Sequence, residues 1–217
     1  MATQVTISGV NLELLPERAI YIESLTSLLV SDVHLGKSET FQAKGIPIPN
    51  QVNQRTLERL QDLCFTYQPQ KLFILGDLFH SRLALVDPVL VEWERFLQKV
   101  ETEVSLIVGN HDRPLIPALK SLSIHCIPDA IQLDRLVLSH EPFSQGSCLN
   151  ICGHIHPCVR IKTRLDQLRL PCFYWERSHN RLTLPSFGEF TGGYEVEVGS
   201  TSVAYLIAEG QVIPFGV

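Results

Sequence analysis

Apolar positions follow two different rhythms along this chain. In the first half, short and nearly unbroken runs at Ser27–Ser31, Lys71–Leu75 and Val104–Val108 predict strands buried on both faces, since a half-exposed strand would alternate apolar with polar residues. Two shorter β segments precede them, near Val5–Ile7 and Ala19–Ile22. Between the runs the period lengthens. Leu57, Leu60, Cys64 and Tyr67 recur at helical spacing, which predicts a helix over Gln51–Phe65 with one core face, ended by Pro69. A second helix is predicted over Asp87–Val100, where Pro88 fits the first turn because no intrahelical N–H is needed there. Gly36–Asn50, polar and closed by Pro47 and Pro49, is expected to be a long loop, and Pro114–Ser121 a short helix. The second half changes style. Ile124–Ile127, Ala130–Leu133, Arg135–Ser139, Leu149–Cys152, Val159–Lys162, Leu168–Trp175, Leu182–Leu184, Val203–Ile207 and Val212–Phe215 all suit closely spaced strands. Strand, helix, strand, helix, strand is α/β in character, but so many further strands cannot join one doubly wound sheet. Two packed sheets with helices outside them is the more economical arrangement.

Bulk properties narrow the class. At 217 residues and 45% hydrophobic, the chain can bury a core without covalent staples, and one domain over residues 1–217 is expected, with no separate capping domain. No apolar run is long enough to span a bilayer, and the N-terminus lacks the pattern of a secretory signal, so the expected address is the cytoplasm. The six cysteines are expected to be thiols. A formal charge of −5 argues against a broad basic coat for nucleic acid. Positive charge is nevertheless segregated between Arg160 and Arg181, where Arg160, Lys162, Arg164, Arg169, Arg177 and Arg181 outnumber Asp166 and Glu176. That segment is a candidate for meeting a polyanion, although alternating Arg160, Lys162 and Arg164 also suits the exposed side of a strand.

Five items carry candidate chemistry: Asp32-Val-His34, Gly76-Asp77-Leu-Phe-His80, Gly109-Asn110-His111-Asp112, His140, and Gly153-His154-Ile-His156. The first three each follow a predicted apolar strand, and ligands in open α/β sheets gather beyond the carboxyl ends of strands. Of the eight histidines, only His125 and His179 lie outside these items. Each item alone has an ordinary reading as a turn or a solvated strand end; together they supply one class of ligand at one rim. Imidazole with carboxylate and carboxamide oxygens, and no paired thiolates, suits Mn, Fe, Zn or Co rather than calcium or magnesium. Two such ions can hold an attacking oxygen and the phosphate oxygens together, and Asp77 is the candidate bridge.

The order D-x-H, G-D-x-x-H, G-N-H-D, a single H and G-H-x-H, over roughly Ser31 to His156, resembles that of calcineurin-like metallophosphoesterases. The resemblance implies a four-layer αββα sandwich, two mixed β-sheets flanked by helices, with the metal site at the strand ends. It implies that Asp32, His34, Asp77 and His156 hold one divalent ion and Asp77, Asn110, His140 and His154 the other. It gives His111 a catalytic place facing substrate, with Asp112 orienting its ring. An imidazole suits stabilisation of phosphate oxygens or protonation of the leaving oxygen. Arg82 and Arg113 are candidate phosphate contacts because a guanidinium engages two oxygens at once, and His80 is a candidate for tuning a ligand or binding substrate.

A narrower resemblance, to the bacterial DNA-ligase-associated phosphoesterase subgroup, rests on Asp32-Val-His-Leu-Gly-Lys-Ser-Glu-Thr-Phe, Gly45-Ile-Pro-Ile-Pro, Gly76-Asp-Leu-Phe-His-Ser-Arg, His140-Glu-Pro, Gly153-His-Ile-His-Pro, Leu170-Pro-Cys-Phe and Leu184-Pro-Ser-Phe-Gly-Glu-Phe-Thr-Gly-Gly. It implies a manganese-dependent phosphodiesterase or nuclease attacking phosphorus with metal-bound hydroxide, and DNA or a nucleotide-like phosphodiester as substrate. DNA repair beside a DNA ligase and a helicase is the implied setting. Phe187 and Phe190 are candidates for stacking on a base or plugging the core. Two alternatives stay open. One is a small-molecule phosphatase or nucleotide pyrophosphatase, since the same ions activate water against several phosphoryl groups. The other, a non-catalytic metal-stabilised module of a repair assembly, is disfavoured because every expected site element, His111 included, is present.

Overall fold

A computed structural model describes every residue except 47, 49–50, 144–146, 163–165, 190 and 217. Strands β1 (Thr3–Ile7), β2 (Val10–Leu15), β3 (Ala19–Ile22) and β4 (Ser27–Val30) form an antiparallel meander. From β4 the same sheet continues in parallel through β5 (Lys71–Leu75), β6 (Glu103–Ile107) and β7 (His125–Ile127). Parallel neighbours need crossovers. Helices α1 (Lys37–Ala43) and α2 (Val52–Tyr67) make the first, α3 (Asp87–Lys99) the second, and the short α4 (Ile116–Leu119) the third.

The second sheet contains β8 (Ala130–Leu133), β9 (Leu136–Ser139), β10 (Leu149–Cys152), β11 (Pro157–Lys162), β12 (Gln167–Glu176), β13 (Arg181–Thr183), β14 (Tyr194–Glu195), β15 (Ser202–Ala208) and β16 (Gln211–Phe215). Its order is β14-β11-β12-β13-β10-β9-β8, with β15 pairing β12 and β16. β10 runs parallel to both β9 and β13. Both sheets are therefore mixed.

The double burial of the central strands follows from the two-residue period of a strand. Leu29, Phe73, Leu75 and Ile107 face the second sheet and pack with Leu138, Ile151, Phe173 and Val203. Their neighbours Leu28, Val30, Leu72, Ile74 and Leu106 face outward against Leu57, Leu60 and Leu63 of α2 and Trp93 and Phe96 of α3. The expected pair of mixed sheets with flanking helices is present, and α2, α3 and α4 all pack on the first sheet. Over the outer face of the second sheet, Val196 and Val198 cover a smaller cluster around Cys172, Ala204 and Leu206.

Three local features differ from the expectations. Strand β2 is additional to them, as is the two-residue β14. The stretch expected as a loop from Gly36 begins with helix α1, whose buried face is polar: Ser38 and Thr40 point inward, and Thr40 Oγ1 donates to the Gly36 carbonyl at 2.9 Å. A helix buried through hydroxyls leaves no apolar period to read. Among the described residues no helix is long and apolar enough to cross a membrane, and all six cysteines are free thiols.

Candidate metal centre

The loops that leave the parallel strands at their carboxyl ends deliver the expected ligands to one rim. Asp32 and His34 follow β4, Asp77 follows β5, Asn110 and His111 follow β6, His140 follows β9, and His154 and His156 join β10 to β11. Five of these side chains sit on left-handed backbone: Asp32 (φ 55°), His34 (φ 50°), Asp77 (φ 54°), His154 (φ 73°) and His156 (φ 51°). Each such non-glycine residue costs on the order of 1 kcal/mol, a strain that persists only where surrounding bonds over-determine it. Those bonds are present. Asp32 N donates to Gly76 O at 3.1 Å, His34 N to Asp77 O at 2.9 Å and Leu35 N to Leu78 O at 2.8 Å, so the two loops brace one another; Gly188 N caps Asp32 O at 3.0 Å. Two glycines allow the close approach. A Cβ on Gly109 would overlap Asp77 Oδ1, and one on Gly153 would overlap Ser31 Oγ and Asp32 Oδ2.

The side chains converge as two groups with Asp77 between them. In the first, Asp32, His34 and His156 bring ligand atoms within 4.8 Å of one another. His156 Nε2 lies 3.0 Å from Asp32 Oδ1, yet the alignment is not that of a hydrogen bond, and both atoms are buried without a partner. His156 Nδ1 faces the Gly192 carbonyl at 3.2 Å, where only a donor is satisfied, and against the effect of burial Asp32 pulls this imidazole above its ordinary value; a proton or a cation between Nε2 and Oδ1 would satisfy both atoms. His34 Nδ1 is also buried and unpartnered, and burial pushes this imidazole down to about 3 against the pull of Asp32, so the ring is neutral.

In the second group the ligand atoms have one another as partners. His140 Nδ1 faces the Leu75 carbonyl at 2.9 Å, which leaves Nε2 as acceptor beside Asn110 Oδ1 (3.0 Å) and Asp77 Oδ1 (3.6 Å), with His154 Nδ1 at 3.1 Å. Asp77 turns Oδ1 toward this group and Oδ2 toward His34, at 3.9 Å. Burial pushes the Asp77 carboxyl above its usual range. The buried and unpartnered Asp32 Oδ1 and His156 Nε2 of the first group are costly unless a cation lies beside them. The donor set, imidazole and carboxylate with a carboxamide and no thiolate, fits a borderline divalent ion at each group.

His111 stands at the edge of the centre, partly exposed, with Nε2 3.9 Å from Asp77 Oδ2. Its orientation corrects one expectation. The His111 ring is held by the main-chain carbonyl of His80, 2.6 Å from Nδ1, and not by Asp112. Asp112 is fully buried and its oxygens instead receive the backbone N–H groups of Asp77 (2.7 Å), Gly109 (3.0 Å) and Leu78 (3.1 Å). It clasps two ligand loops together. The His80 ring stacks between Phe41 and His111, with centroids 6.0 and 5.3 Å apart, and burial pushes it down to about 4.

The expected phosphate contacts lie farther out. Arg82 donates to the Pro114 carbonyl at 3.3 Å and Arg113 to Glu141 at 3.3 Å, both exposed. Much of the basic segment is also engaged. Arg160 and Arg169 share Glu195, Arg181 pairs with Glu176, and Arg177 lies over Trp175; Arg164 is outside the described residues. Phe187 is fully buried beneath the Arg59 guanidinium and so acts as a plug rather than a base platform, while Phe190 is outside the described residues. Lys37 was not singled out by the sequence. Its half-buried ammonium lies 3.5 Å from Thr191 Oγ1 and near enough to His34 and His80 to oppose protonation of both rings. Its place directly after the Asp32-Val-His34-Leu-Gly segment was the available signal.

The sequence profile of the calcineurin-like phosphoesterase family matches residues 25–192. Among solved structures, the nuclease MPE of Pseudomonas putida is 35% identical, with 99% of this chain and 100% of that one covered, at a TM-score of 0.84. The phosphoesterase Yfce of E. coli is 17% identical over 88% of this chain and 98% of its own, at a TM-score of 0.47. A search of curated proteins finds no match.

Proposed function

The chain belongs to the calcineurin-like phosphoesterase family and is a metal-dependent phosphoester hydrolase, and from that premise we propose that it is a manganese-dependent phosphodiesterase acting on DNA or nucleotide-like phosphodiesters. Asp32, His34, Asp77 and His156 would hold one ion, and Asp77, Asn110, His140 and His154 the other. Two such cations, when bound, neutralise charge on the phosphate oxygens and lower the pKa of water at the centre. The residues of the chain do the rest. With Nδ1–H given to the His80 carbonyl, His111 has only Nε2 to exchange a proton, and that atom faces the centre; it is the candidate for protonating the leaving oxygen. Asp112 and the braced loops keep Asp77 in place.

The observation that carries the choice of a diester is the openness of the centre. His154 is exposed, and a cavity adjoins each ligand group, about 530 Å³ beside His140 and about 300 Å³ beside His156. Cavities touching His140 on one side and His156 on the other would leave room for a substrate extending beyond the phosphorus, which a monoester does not need. The full-length similarity to a nuclease supports the same reading. A cytoplasmic address is supported by the free thiols, and a place in DNA repair beside a ligase and a helicase by the sequence resemblance.

The test is a substrate panel with manganese: bis-p-nitrophenyl phosphate, p-nitrophenyl phosphate, and single- and double-stranded DNA. Turnover of the diesters should exceed that of the monoester and should collapse in Asn110→Ala and His154→Ala. A monoester preference of orders of magnitude would retire the proposal.

A further inference from the structure

The cavity beside His156 has a charge that the net charge of the chain does not suggest. Arg18, Arg169, Ser186, Thr191, Gly192 and Gly193 line it, and among the described residues no carboxylate does. The cavity beside His140 differs, since Arg113 is joined there by Asp129 and Glu141. Acids outside the cavity wall compensate the two guanidiniums only in part. Arg169 Nε lies 3.2 Å from Glu195, a carboxylate that also pairs with Arg160, and Arg169 Nη2 donates to the Gly193 carbonyl, which leaves Nη1 without a protein partner among the described residues. Arg18 donates to the Ser186 carbonyl at 3.3 Å and stands close enough to Arg59 to oppose its charge, with Glu189 acting on both. Lys37 adds an ammonium at Thr191, on the side toward His34. Positive charge thus continues outward from the ligand group of His156, whose ring is tied to Gly192.

We propose that this cavity is a second phosphate subsite, in which Arg18 and Arg169 bind the phosphate adjoining the scissile one on a nucleotide chain. A guanidinium presents a planar fork that matches two phosphate oxygens, and two of them beside hydroxyls and the side-chain-free space at Gly192 suit a phosphodiester passing along the wall. The cavity beside His140, where two carboxylates outnumber one guanidinium, then takes uncharged sugar and base on the other flank. The inference rests on the nucleotide-substrate reading and refines it: Arg18 and Arg169 become specificity-determining residues that favour substrates with more than one phosphate.

Chromogenic thymidine esters test it with the manganese-loaded enzyme. One pair is the 5′-(p-nitrophenyl phosphate) with and without a 3′-phosphate; the other is the 3′-(p-nitrophenyl phosphate) with and without a 5′-phosphate. In one of the two pairs the extra phosphate should raise kcat/KM about tenfold, chiefly through KM, as expected for charge-assisted hydrogen bonds. The ratio within each pair is the readout, so a change in folded fraction cancels. Arg18→Ala and Arg169→Ala should bring it below about twofold, and the lysine variants should retain part of it. Cleavage of both thymidine esters with no gain in either pair, or a gain that survives both alanine variants, would overturn the subsite alone. Turnover of bis-p-nitrophenyl phosphate with neither thymidine ester cleaved would remove the nucleotide reading, and the subsite with it.

Discussion

Replacing Asp112 by alanine removes a carboxylate that receives three backbone N–H groups within 3.1 Å, with Phe79 N at 3.5 Å as a fourth, weaker donor. Hydrogen bonds to a charged group contribute about 1.5–3 kcal/mol each, so the three good ones amount to roughly 5–9 kcal/mol gross. Much of that is offset by desolvation, since burial pushes the Asp112 carboxyl up to about 6 even with these bonds made. The expected net loss of stability is about 3–5 kcal/mol, in line with other buried charges stripped of a partner. Asp112→Asn should fare little better, because one oxygen becomes an NH2 group aimed at N–H donors. Urea unfolding of the metal-free protein reads the change as a lower midpoint at unchanged slope. A loss below about 1 kcal/mol, with turnover reduced instead, would refute the clasp and restore Asp112 as the orienter of His111.

Gly153→Ala places a Cβ against Ser31 Oγ and Asp32 Oδ2, so manganese affinity measured calorimetrically should fall at least about tenfold; an unchanged Kd would show that Asp32 can move without consequence. His111→Ala should lose about 10²- to 10⁴-fold in diester turnover while metal analysis still finds two ions per chain; loss of one ion would make His111 a ligand instead. Burial pushes Cys64 up to about 11 and Cys152 and Cys172 to about 12, so their reactive thiolates become abundant only as pH rises toward those values. At pH 8 native protein should therefore yield at most the half-buried Cys126 and Cys148 to a thiol reagent, and all six cysteines once unfolded; rapid native reaction of the buried Cys64, Cys152, Cys158 or Cys172 would contradict the packing.

What the sequence discloses here follows from how local each cause is. Strands β4, β5 and β6 are written as apolar runs because both faces are covered, and the chemistry follows each run at once, so the gathering of Asp32, Asp77 and Asn110 at one rim was legible. Strand β2 alternates only over Asn11–Leu14, where Leu12 and Leu14 are buried and Asn11 and Glu13 are not, before Leu15 breaks the period, which makes it a weak signal. Helix α1 was not readable in the same way, because hydroxyls form its buried face. Contacts between distant segments leave no local signal at all. The grip of the His80 carbonyl on His111, the clasp made by Asp112 and the meeting of Arg18 with Gly192 and Arg169 exist only once the two sheets have packed.

Asp77 lying between two cations is what gives this centre its proposed chemistry. Anomalous diffraction from crystals grown with manganese measures this directly. Two peaks about 3.5–4 Å apart are expected, with one Asp77 oxygen on each ion, His34 beside the first and His140 beside the second. A single peak, or two peaks with Asp77 in contact with neither, would contradict it.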